Sequence, residues 1–252
     1  MNQARKKRLL ASMKRVISLD STGTLLKISE SVGYQYLRIL DSFFPGSLSH
    51  QDKVILTRQF NENFPFHYKD ATKKHPNFGY GSIGCYEWWK GLVRQLYLSS
   101  HINMKDYQFS YVFAETYRQF RTAECWEMFP ETLQVLQALQ TRGFDVVVTS
   151  DFDRGLVTIL QQHGLFTPDN ISSSLIKEVI TSYEEGVAKP ELLELVKEKW
   201  DISAHVGDSV GRDVLGAQRI GVLPIYIDRK KSGFCKEHPS VKTLSGILEH
   251  LK

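Results

Sequence analysis

The sequence predicts an α/β fold, in which a Rossmann-like parallel sheet with helices on both faces carries an inserted, all-helical cap of four helices. Apolar strand-like runs alternate with helix-like segments near the start of the chain and again after about residue 130, which is typical of a parallel sheet covered by helices. Between residues 31 and 122 the periodicity is helical throughout. We therefore expect a discontinuous core of residues 1–30 and 123–252, with 1–14 as a basic leader, and a cap of residues 31–122.

The core elements are predicted from hydrophobic runs and from the positions of proline and glycine. Pro130 precedes a segment with leucines on one face and Gly143 follows it, as expected for proline at a helix start and glycine past a helix end. Beyond Asp228 the chain looks peripheral. In chain order we expect strands at 16–19, 146–148, 179–181, 204–206 and 223–227, and helices at 130–142, 153–163, 191–200 and up to residue 220.

The predicted cap holds 20 of the 29 aromatic residues of the chain. A chain of 252 residues can bury one large core and a smaller second one, and this density of aromatic side chains indicates a separate core. The stretch 65–84 contains Pro76 and three glycines and is predicted to be a long loop. The four predicted helices are at about 31–43, 49–64, 84–100 and 106–122.

Composition excludes several classes of protein. The 42% hydrophobic and 24% charged residues are ordinary for a soluble globular chain, and no apolar run approaches the roughly 20 residues that cross a bilayer. The three cysteines, Cys85, Cys125 and Cys235, are widely spaced and odd in number, which argues against a disulfide framework or a zinc site and for a reducing compartment. We expect no nucleic-acid partner, because basic residues beyond the amino terminus are mixed with acidic ones.

The formal charge of +4 is concentrated at the amino terminus. This segment is a solvated leader of a cytoplasmic protein, or alternatively a mitochondrial presequence or a nuclear-import patch. The oligomeric state is left open between monomer and dimer. The basic residues before the first predicted strand, with no acidic residue among them, are Arg5, Lys6, Lys7, Arg8, Lys14 and Arg15.

Four short polar signatures occur in a fixed order. Asp20-Ser21-Thr22-Gly23-Thr24-Leu25, Thr149-Ser150 and Gly207-Asp208-Ser209-Val210-Gly211-Arg212-Asp213 each follow a predicted strand, and Lys189-Pro190 precedes a predicted helix. Because the carboxyl ends of neighbouring parallel strands meet at one edge of a sheet, these signatures are expected to converge on one crevice.

The residue types in these signatures fit phosphoryl transfer through an aspartate. Asp20 can attack phosphorus in line as a carboxylate nucleophile. Asp208 can ligate a hard cation such as Mg²⁺, and Asp213 can ligate it or orient Asp208. Lys189 and the Ser150 hydroxyl can hold the oxygens of a phosphoryl group.

On these motifs the chain resembles the haloacid dehalogenase superfamily of hydrolases, over roughly residues 14 to 228. Within it the sequence is most similar to the haloacid dehalogenase-like hydrolase domain-containing 3 group, through residues 75–79, Trp88-Trp89 and residues 150–154. The resemblance implies a Rossmann-like core, a helical cap inserted after the first motif, and a required Mg²⁺. It also implies that the backbone carbonyl of Thr22 ligates the metal alongside Asp20, Asp208 and Asp213. Gly23 and Asp151 join Ser150 and Lys189 among the expected phosphate-binding residues.

Two positions depart from the family pattern. Most phosphatases of the superfamily have a second aspartate where this chain has Thr22, which cannot exchange a proton usefully near neutral pH. Asp151 stands where the closer group usually has asparagine, and its charge would oppose phosphate unless Arg154 or the metal compensates.

We therefore expect a Mg²⁺-dependent phosphatase or phosphotransferase that acts on a small phosphorylated compound through an aspartyl-phosphate, slowly because of Thr22. The alternative is a catalytically retired member used as a binding or regulatory protein. A third possibility is true dehalogenation, in which the aspartate attacks carbon; it needs no metal, and so Asp208 and Asp213 count against it.

Overall fold

The structure, a computed structural model, describes residues 15–230, 233 and 237–251. The predicted basic leader and Cys235 lie outside the described residues. Internal contacts divide the chain into two compact units. The core unit comprises the described residues of 1–27, 128–151 and 163–252, and the helical unit comprises residues 28–127 and 152–162. Segment 152–162, which the sequence places in the core, is thus grouped with the helical unit.

A six-stranded, all-parallel sheet forms the centre of the core unit, in the order β5-β4-β1-β6-β7-β8. Because β1 lies between β4 and β6, the chain crosses to opposite sides of β1, which is the point where open α/β sheets bind ligands. In chain order the strands are β1 (Arg15–Leu19), β2 (Leu26–Ile28), β3 (Trp126–Met128), β4 (Phe144–Ser150), β5 (Glu178–Thr181), β6 (Ala204–Gly207), β7 (Leu223–Ile227) and β8 (Ser240–Val241).

Helices lie on both faces of this sheet, and the predicted α/β fold with its helical insertion is confirmed. The predicted strands and helices of the core agree with the structure to within about two residues at each end. In chain order the helices are α1 (Val32–Phe43), α2 (His50–Lys74), α3 (Cys85–Ser99), α4 (Asp106–Phe120), α5 (Thr132–Thr141), α6 (Gly155–Gln162), α7 (Ser182–Glu185), α8 (Glu191–Trp200), α9 (Leu215–Arg219) and α10 (Ile247–His250).

The central strands are apolar because both of their faces are covered. Ile17 and Leu19 of β1 are completely buried, and so is Val147 of β4, as expected for a parallel sheet between two layers of helices. On one face, Leu192 and Val196 of α8 pack in the same cluster as Val147. This packing fixes the edge of the sheet from which the polar signatures project.

Three strands are absent from the sequence prediction because they are too short to give a periodic signal. β2 and β3 contain three residues each and pair with each other outside the main sheet. β8 contains two residues and extends the sheet beyond β7. The chain after residue 228 is therefore not wholly peripheral as predicted, since Leu244 and Ile247 are also completely buried.

The helical unit has its own aromatic core, as the composition predicts. Tyr36 of α1 and Phe60 of α2 meet edge to face with ring centroids 6.4 Å apart, and Tyr97 of α3 lies 5.5 Å from Phe60. Such geometries add about 0.5–1.5 kcal/mol per pair to the burial of the rings. Among the described residues, no helix is both long and apolar enough to cross a membrane.

The predicted end of the second helix at residue 64 is wrong, because α2 continues through Pro65 to Lys74. A proline inside a helix removes one backbone hydrogen bond and costs about 3 kcal/mol. Packing across the proline offsets this cost: Phe64 lies 6.0 Å from the ring of Tyr36, and Tyr68 lies 5.4 Å from that of Trp88. The predicted loop is therefore confined to the residues between α2 and α3.

The paired tryptophans at the start of α3 anchor this shorter loop. Trp88 is buried, and its indole N–H donates to the His75 carbonyl at 2.9 Å. Trp89 stacks on Phe78, with ring centroids 6.0 Å apart, and donates to the Asp153 carboxylate at 3.0 Å. The tryptophans thus attach the start of α3 to the preceding loop and to segment 152–162, which is a structural role.

Replacing Phe60 by alanine should lower the free energy of unfolding by about 3–5 kcal/mol, because its completely buried ring would leave a cavity. Phe66→Ala on the same helix is the matched control, since that ring is 69% exposed, and it should change stability by less than about 0.5 kcal/mol. Urea denaturation measures both. Equal losses in the two variants would contradict this assignment of the aromatic core.

Candidate active site

Asp20 follows β1 at the carboxyl edge of the sheet and is only 5% exposed. Its backbone N–H donates to the Val206 carbonyl of neighbouring β6 at 2.8 Å, which fixes where the side chain begins. Its Oδ1 accepts hydrogen bonds from Lys189 Nζ at 2.6 Å and from Ser150 Oγ at 3.1 Å. Three of the sequence signatures therefore meet at one carboxylate oxygen.

The same Lys189 ammonium also contacts Asp213, whose Oδ1 lies 2.6 Å from Nζ. The other oxygen of Asp213 accepts the backbone N–H of Ser209 at 2.9 Å. Gly207 makes room for this carboxylate, because a Cβ at that position would lie 2.2 Å from Asp213 Cγ. The first glycine of the fourth signature is thus required by packing against its last aspartate.

Asp208 completes a group of three carboxylates. One oxygen each from Asp20, Asp208 and Asp213 can be chosen so that all lie within 4.8 Å of one another. Oxygen donors at this spacing suit a hard divalent cation such as Mg²⁺. The three carboxylates and the Lys189 ammonium together carry a charge of −2 when all are ionised, which a divalent cation would neutralise. The donor set therefore fits the metal that the sequence predicts.

The electrostatics of the site show the cost of gathering these charges. Burial raises the pKa of Asp20 to about 6, with the Lys189 charge acting in the opposite direction and the Asp213 charge adding to the rise. Partial desolvation and repulsion from Asp213 also raise the pKa of Asp208 above its usual value. A bound cation would favour the ionised forms of both carboxyls.

Lys189 and Asp213 form a buried ion pair. Burial alone would lower the pKa of Lys189, but attraction to Asp20, then to Asp213 and Asp151, raises it above its usual value. Burial likewise opposes ionisation of Asp213, but the Lys189 charge and a hydrogen bond from His205 outweigh it and hold the pKa of Asp213 below its usual range. The pair is therefore charged at neutral pH.

Asp151 is tied to the core unit by two contacts. Its Oδ1 accepts the backbone N–H of Lys189 at 2.8 Å, and its Oδ2 lies 3.3 Å from Arg212 Nη1. Its charge is therefore compensated by Arg212. The carboxylate orients the backbone of Lys189. Its predicted role in phosphate binding stays a prediction.

Thr22 and Gly23 lie in the turn that follows Asp20. The Thr22 side chain is exposed, and the ligation of a metal by its carbonyl stays a prediction. The Gly23 N–H donates to the Leu26 carbonyl at 2.8 Å, so in this conformation the turn already uses the amide that a phosphate would need. The structure explains Gly23 by packing instead, because a Cβ would lie 2.1 Å from Asp208 Oδ2 and the residue has φ = +81°.

Arg229 holds this turn in place, although no sequence signature pointed to it. Its guanidinium donates to the carbonyls of Gly23 and Thr24 at 2.8 Å each. It also pairs with Glu131 at 2.9 Å and lies over the ring of Phe129 at 3.4 Å. The role of Arg229, which follows β7, cannot be recognised from the sequence, because its partners are distant in the chain and two of them are backbone carbonyls.

Two buried polar residues behind the carboxylates, His205 and Ser18, were also missed. His205 Nε2 lies 3.0 Å from Asp213 Oδ1, His205 Nδ1 lies 2.8 Å from Ser18 Oγ, and Ser18 donates to Thr149 Oγ1 of the second signature at 2.7 Å. The available signal was a polar residue between buried apolar neighbours in β1 and in β6. Ser21 was missed as well, and its hydroxyl lies 2.7 Å from that of Ser150.

Gly207→Ala should lower the free energy of unfolding by about 1–3 kcal/mol, because the new methyl group overlaps the Asp213 carboxylate. Gly211→Ala is the matched control in the same signature, since nothing lies within 4 Å of its Cβ position. Thermal denaturation compares the two. A Gly207→Ala protein as stable as the control, with Asp213 undisplaced in its crystal structure, would contradict the packing described.

Comparisons with known proteins were made on sequence and on structure. A family model for haloacid dehalogenase-like hydrolases matches residues 14–221. The haloacid dehalogenase-like hydrolase domain-containing protein 3 of Bos taurus is 29% identical over 255 aligned positions, which cover 94% of this chain and 95% of the bovine one. The human protein of that name is 26% identical over 217 positions, covering 82% and 79% of the two chains.

Solved structures of low sequence identity share the fold. The HAD-hydrolase YfnB of Bacillus subtilis, bound to magnesium, has a TM-score of 0.66 at 16% identity and covers 95% of this chain and 99% of its own. A HAD phosphatase from Thermococcus onnurineus has a TM-score of 0.58 at 19% identity, covering 95% and 98%. A 2-haloacid dehalogenase from Pseudomonas syringae has a TM-score of 0.62 at 16% identity, covering 94% and 97%.

The family model spans most of the chain, and its range includes all four signatures that meet at Asp20. The resemblance inferred from those signatures is confirmed. The chain belongs to the haloacid dehalogenase-like family of hydrolases.

Proposed function

We propose that this hydrolase is a Mg²⁺-dependent phosphatase or phosphotransferase that acts on a small phosphorylated compound through an aspartyl-phosphate. The observation that carries the proposal is the surroundings of Asp20. A lysine ammonium and a serine hydroxyl contact its Oδ1, and two further carboxylates lie within metal-sharing distance. A nucleophile, donors for phosphoryl oxygens and a cation site are therefore together in one unit.

In the first half of the reaction the Asp20 carboxylate attacks phosphorus. A bond forms between a carboxylate oxygen and phosphorus, and the bond from phosphorus to the leaving oxygen breaks. Lys189 and Ser150 donate to the equatorial oxygens, where negative charge is spread in the transition state. In the second half, water attacks the same phosphorus and releases inorganic phosphate from Asp20; in a phosphotransferase an acceptor hydroxyl takes the place of water.

Asp20, Asp208 and Asp213 would hold the magnesium ion, with the Thr22 carbonyl as the further ligand that the family resemblance implies. The ion supplies charge neutralisation, so that an anionic carboxylate can approach an anionic phosphate. The charge of −2 in the site and the raised pKa of Asp20 support this assignment. The magnesium bound to YfnB lies in a protein of the same fold.

Thr22 sets the rate in this proposal. Most phosphatases of the superfamily protonate the leaving group and activate water with an aspartate at this position. A threonine cannot do this, and general acid–base catalysis is typically worth 10²–10⁴-fold in rate. The aspartyl-phosphate should therefore accumulate, and its hydrolysis should limit turnover.

Two other functions compete with this one. Dehalogenation, the activity named for the Pseudomonas syringae structure, places the aspartate on carbon and needs no metal, so three carboxylates around one lysine would be unexplained. A retired binding module would need neither nucleophile nor metal, but it gains support from the loss of aspartate at residue 22. We favour the phosphatase because the complete donor set is retained.

Hydrolysis of phosphorylated metabolites should require Mg²⁺ and should be lost in Asp20→Asn. The amide keeps the shape of the side chain but is not a nucleophile. A screen of such compounds, with Mg²⁺ or with EDTA, measures phosphate release, and Asp169→Asn on the exposed surface is the control. Equal activity with EDTA, or in Asp20→Asn, would refute the proposal; chloride release from 2-chloropropionate with no phosphate release would favour the dehalogenase.

Thr22→Asp should increase steady-state turnover by 10-fold or more, because it restores a proton-exchanging group at an exposed position that can accept it. Rapid-quench kinetics should show a burst of leaving group in the wild-type protein and none in Thr22→Asp. Thr22→Asn is the isosteric control without an exchangeable acid and should retain the burst. Wild-type phosphoenzyme that hydrolyses as fast as it forms would contradict the assignment.

We further propose a small phosphorylated molecule as the only substrate partner, with no role in nucleic-acid or membrane binding, and a cytoplasmic protein that is monomeric or dimeric. The buried Lys189 ammonium and the Ser150 hydroxyl beside Asp20 support an anionic substrate. The basic leader keeps mitochondrial and nuclear compartments as alternatives.

A further inference from the structure

A row of hydrogen-bonded polar side chains crosses the middle of the main sheet. Thr149 of β4, Ser18 of β1 and His205 of β6 lie on three adjacent strands, and each is at most 1% exposed. The contacts between them are 2.7 and 2.8 Å long, and the row ends 3.0 Å from the Asp213 carboxylate. The row therefore connects the buried centre of the sheet to the proposed metal site.

This row is unusual for its surroundings. The neighbours of Ser18 along β1 are Ile17 and Leu19, and those of His205 along β6 are Ala204 and Val206, all of them buried. Apolar residues in these positions would satisfy the fold, since burying a polar group costs free energy unless it is hydrogen-bonded. The polar groups occur together, and among the described residues the charged group that contacts the row is Asp213.

The contact with Asp213 fixes the orientation of the imidazole. An ionised carboxylate can only accept hydrogen bonds, so the Nε2 atom of His205 carries a hydrogen and donates a hydrogen bond to Asp213 Oδ1. Contact of Nδ1 with Ser18 Oγ holds the opposite side of the ring. The ring is thus held at both ends and cannot rotate away from Asp213 without losing a buried hydrogen bond.

Asp213 in turn is held by three donors. Oδ1 accepts from His205 Nε2 and from Lys189 Nζ, and Oδ2 accepts from Ser209 N. Lys189 also donates to Asp20, and in the proposed function its ammonium would turn toward the phosphoryl group. His205, which is held on its other side by Ser18, would then be the donor to Oδ1 that stays in place.

We infer that His205 is a positioning residue, which holds the Asp213 carboxylate in the orientation required for the cation site while Lys189 engages the phosphoryl group. This inference rests on the proposed metal-dependent function. Donors that orient ligating carboxylates are typically worth 10–100-fold in metal affinity.

Two isosteric substitutions separate positioning from stability. Glutamine places its amide N–H near the position of Nε2, and so His205→Gln can still donate to Asp213 while losing Ser18. Asparagine reaches only as far as Nδ1, and so His205→Asn keeps a contact with Ser18 and loses Asp213. Both variants lose a buried imidazole. If the role of His205 were purely structural, the two variants would lose similar thermal stability and would not differ in the orientation of Asp213 or in Mg²⁺ affinity.

The first readout is the crystal structure of each variant without metal. We expect the Asp213 carboxylate to keep its orientation in His205→Gln and to rotate or shift in His205→Asn. Unchanged Asp213 in His205→Asn overturns the inference, whether or not the protein proves to be a phosphatase.

The second readout is titration of the metal-free protein with MgCl₂ by calorimetry. The dissociation constant for Mg²⁺ should increase by 10–100-fold in His205→Asn and by less than about 3-fold in His205→Gln. Once a substrate has been found, the apparent KM for Mg²⁺ should increase in His205→Asn and change little in His205→Gln, as for the dissociation constant. The kcat at saturating Mg²⁺ should change little in both variants. Equal Mg²⁺ affinities in the two variants overturn the inference. If the wild-type protein binds no Mg²⁺, the proposed function is refuted. The orientation of Asp213 in the two crystal structures then tests the positioning role of His205 by itself.

Ser18→Ala is the alternative test variant if the histidine variants do not fold, because it removes only one hydroxyl from the row. It should weaken Mg²⁺ binding by a smaller factor, of about 3- to 10-fold, through a less firmly held imidazole. Ser174→Ala is the matched control, since that buried serine donates to the Ile176 carbonyl away from the row. An affinity in Ser18→Ala equal to that of Ser174→Ala would overturn the inference.

Discussion

The Lys189 ammonium between the Asp20 and Asp213 carboxylates is the interaction on which the site depends. All three side chains are buried, and an unpaired charge in such a place would cost several kcal/mol. One lysine cannot neutralise the Asp208 carboxylate as well, and so a charge of −2 remains. This imbalance is unfavourable for folding, and in the proposed function a bound divalent cation would balance it. A phosphorylated substrate would then bring its negative charge to a site where the cation and Lys189 are both positive partners for it.

The parallel sheet makes this arrangement possible with few residues. Asp20 and Asp208 follow β1 and β6, and Ser150 ends β4, which lies on the other side of β1, so their side chains start at the same edge of three neighbouring strands. Lys189 reaches the same point from the start of α8. Close packing then sets the details, since Gly207 and Gly23 each leave space that a carboxylate occupies. Much of the chain outside the signatures is therefore needed only to hold these strand ends in register.

Sequence reasoning found the parts of the molecule that have local signals. The fold was predicted from alternating elements, and Asp20 and the two metal-binding candidates of the fourth signature were predicted from their positions after strands. Lys189 was predicted from its position before a helix. It failed where tertiary contacts decide: aromatic packing carries α2 through Pro65, and short strands such as β8 exist only because a neighbour pairs with them. Arg229 could not be recognised, because it acts on groups far away in the chain. His205 is close in sequence to Asp213, but its other partner, Ser18, is distant, and a single histidine in a short strand is no signal by itself.

The most direct test of the account is a crystal structure of the protein with MgCl₂ and beryllium fluoride, which mimics a phosphoryl group on aspartate. The account predicts one Mg²⁺ at about 2.0–2.1 Å from carboxylate oxygens of Asp20 and Asp208, close to Asp213, with beryllium on Asp20 and its fluorides facing Lys189 and Ser150. An ion bound elsewhere, or beryllium fluoride absent from Asp20 at saturating concentrations, would contradict it.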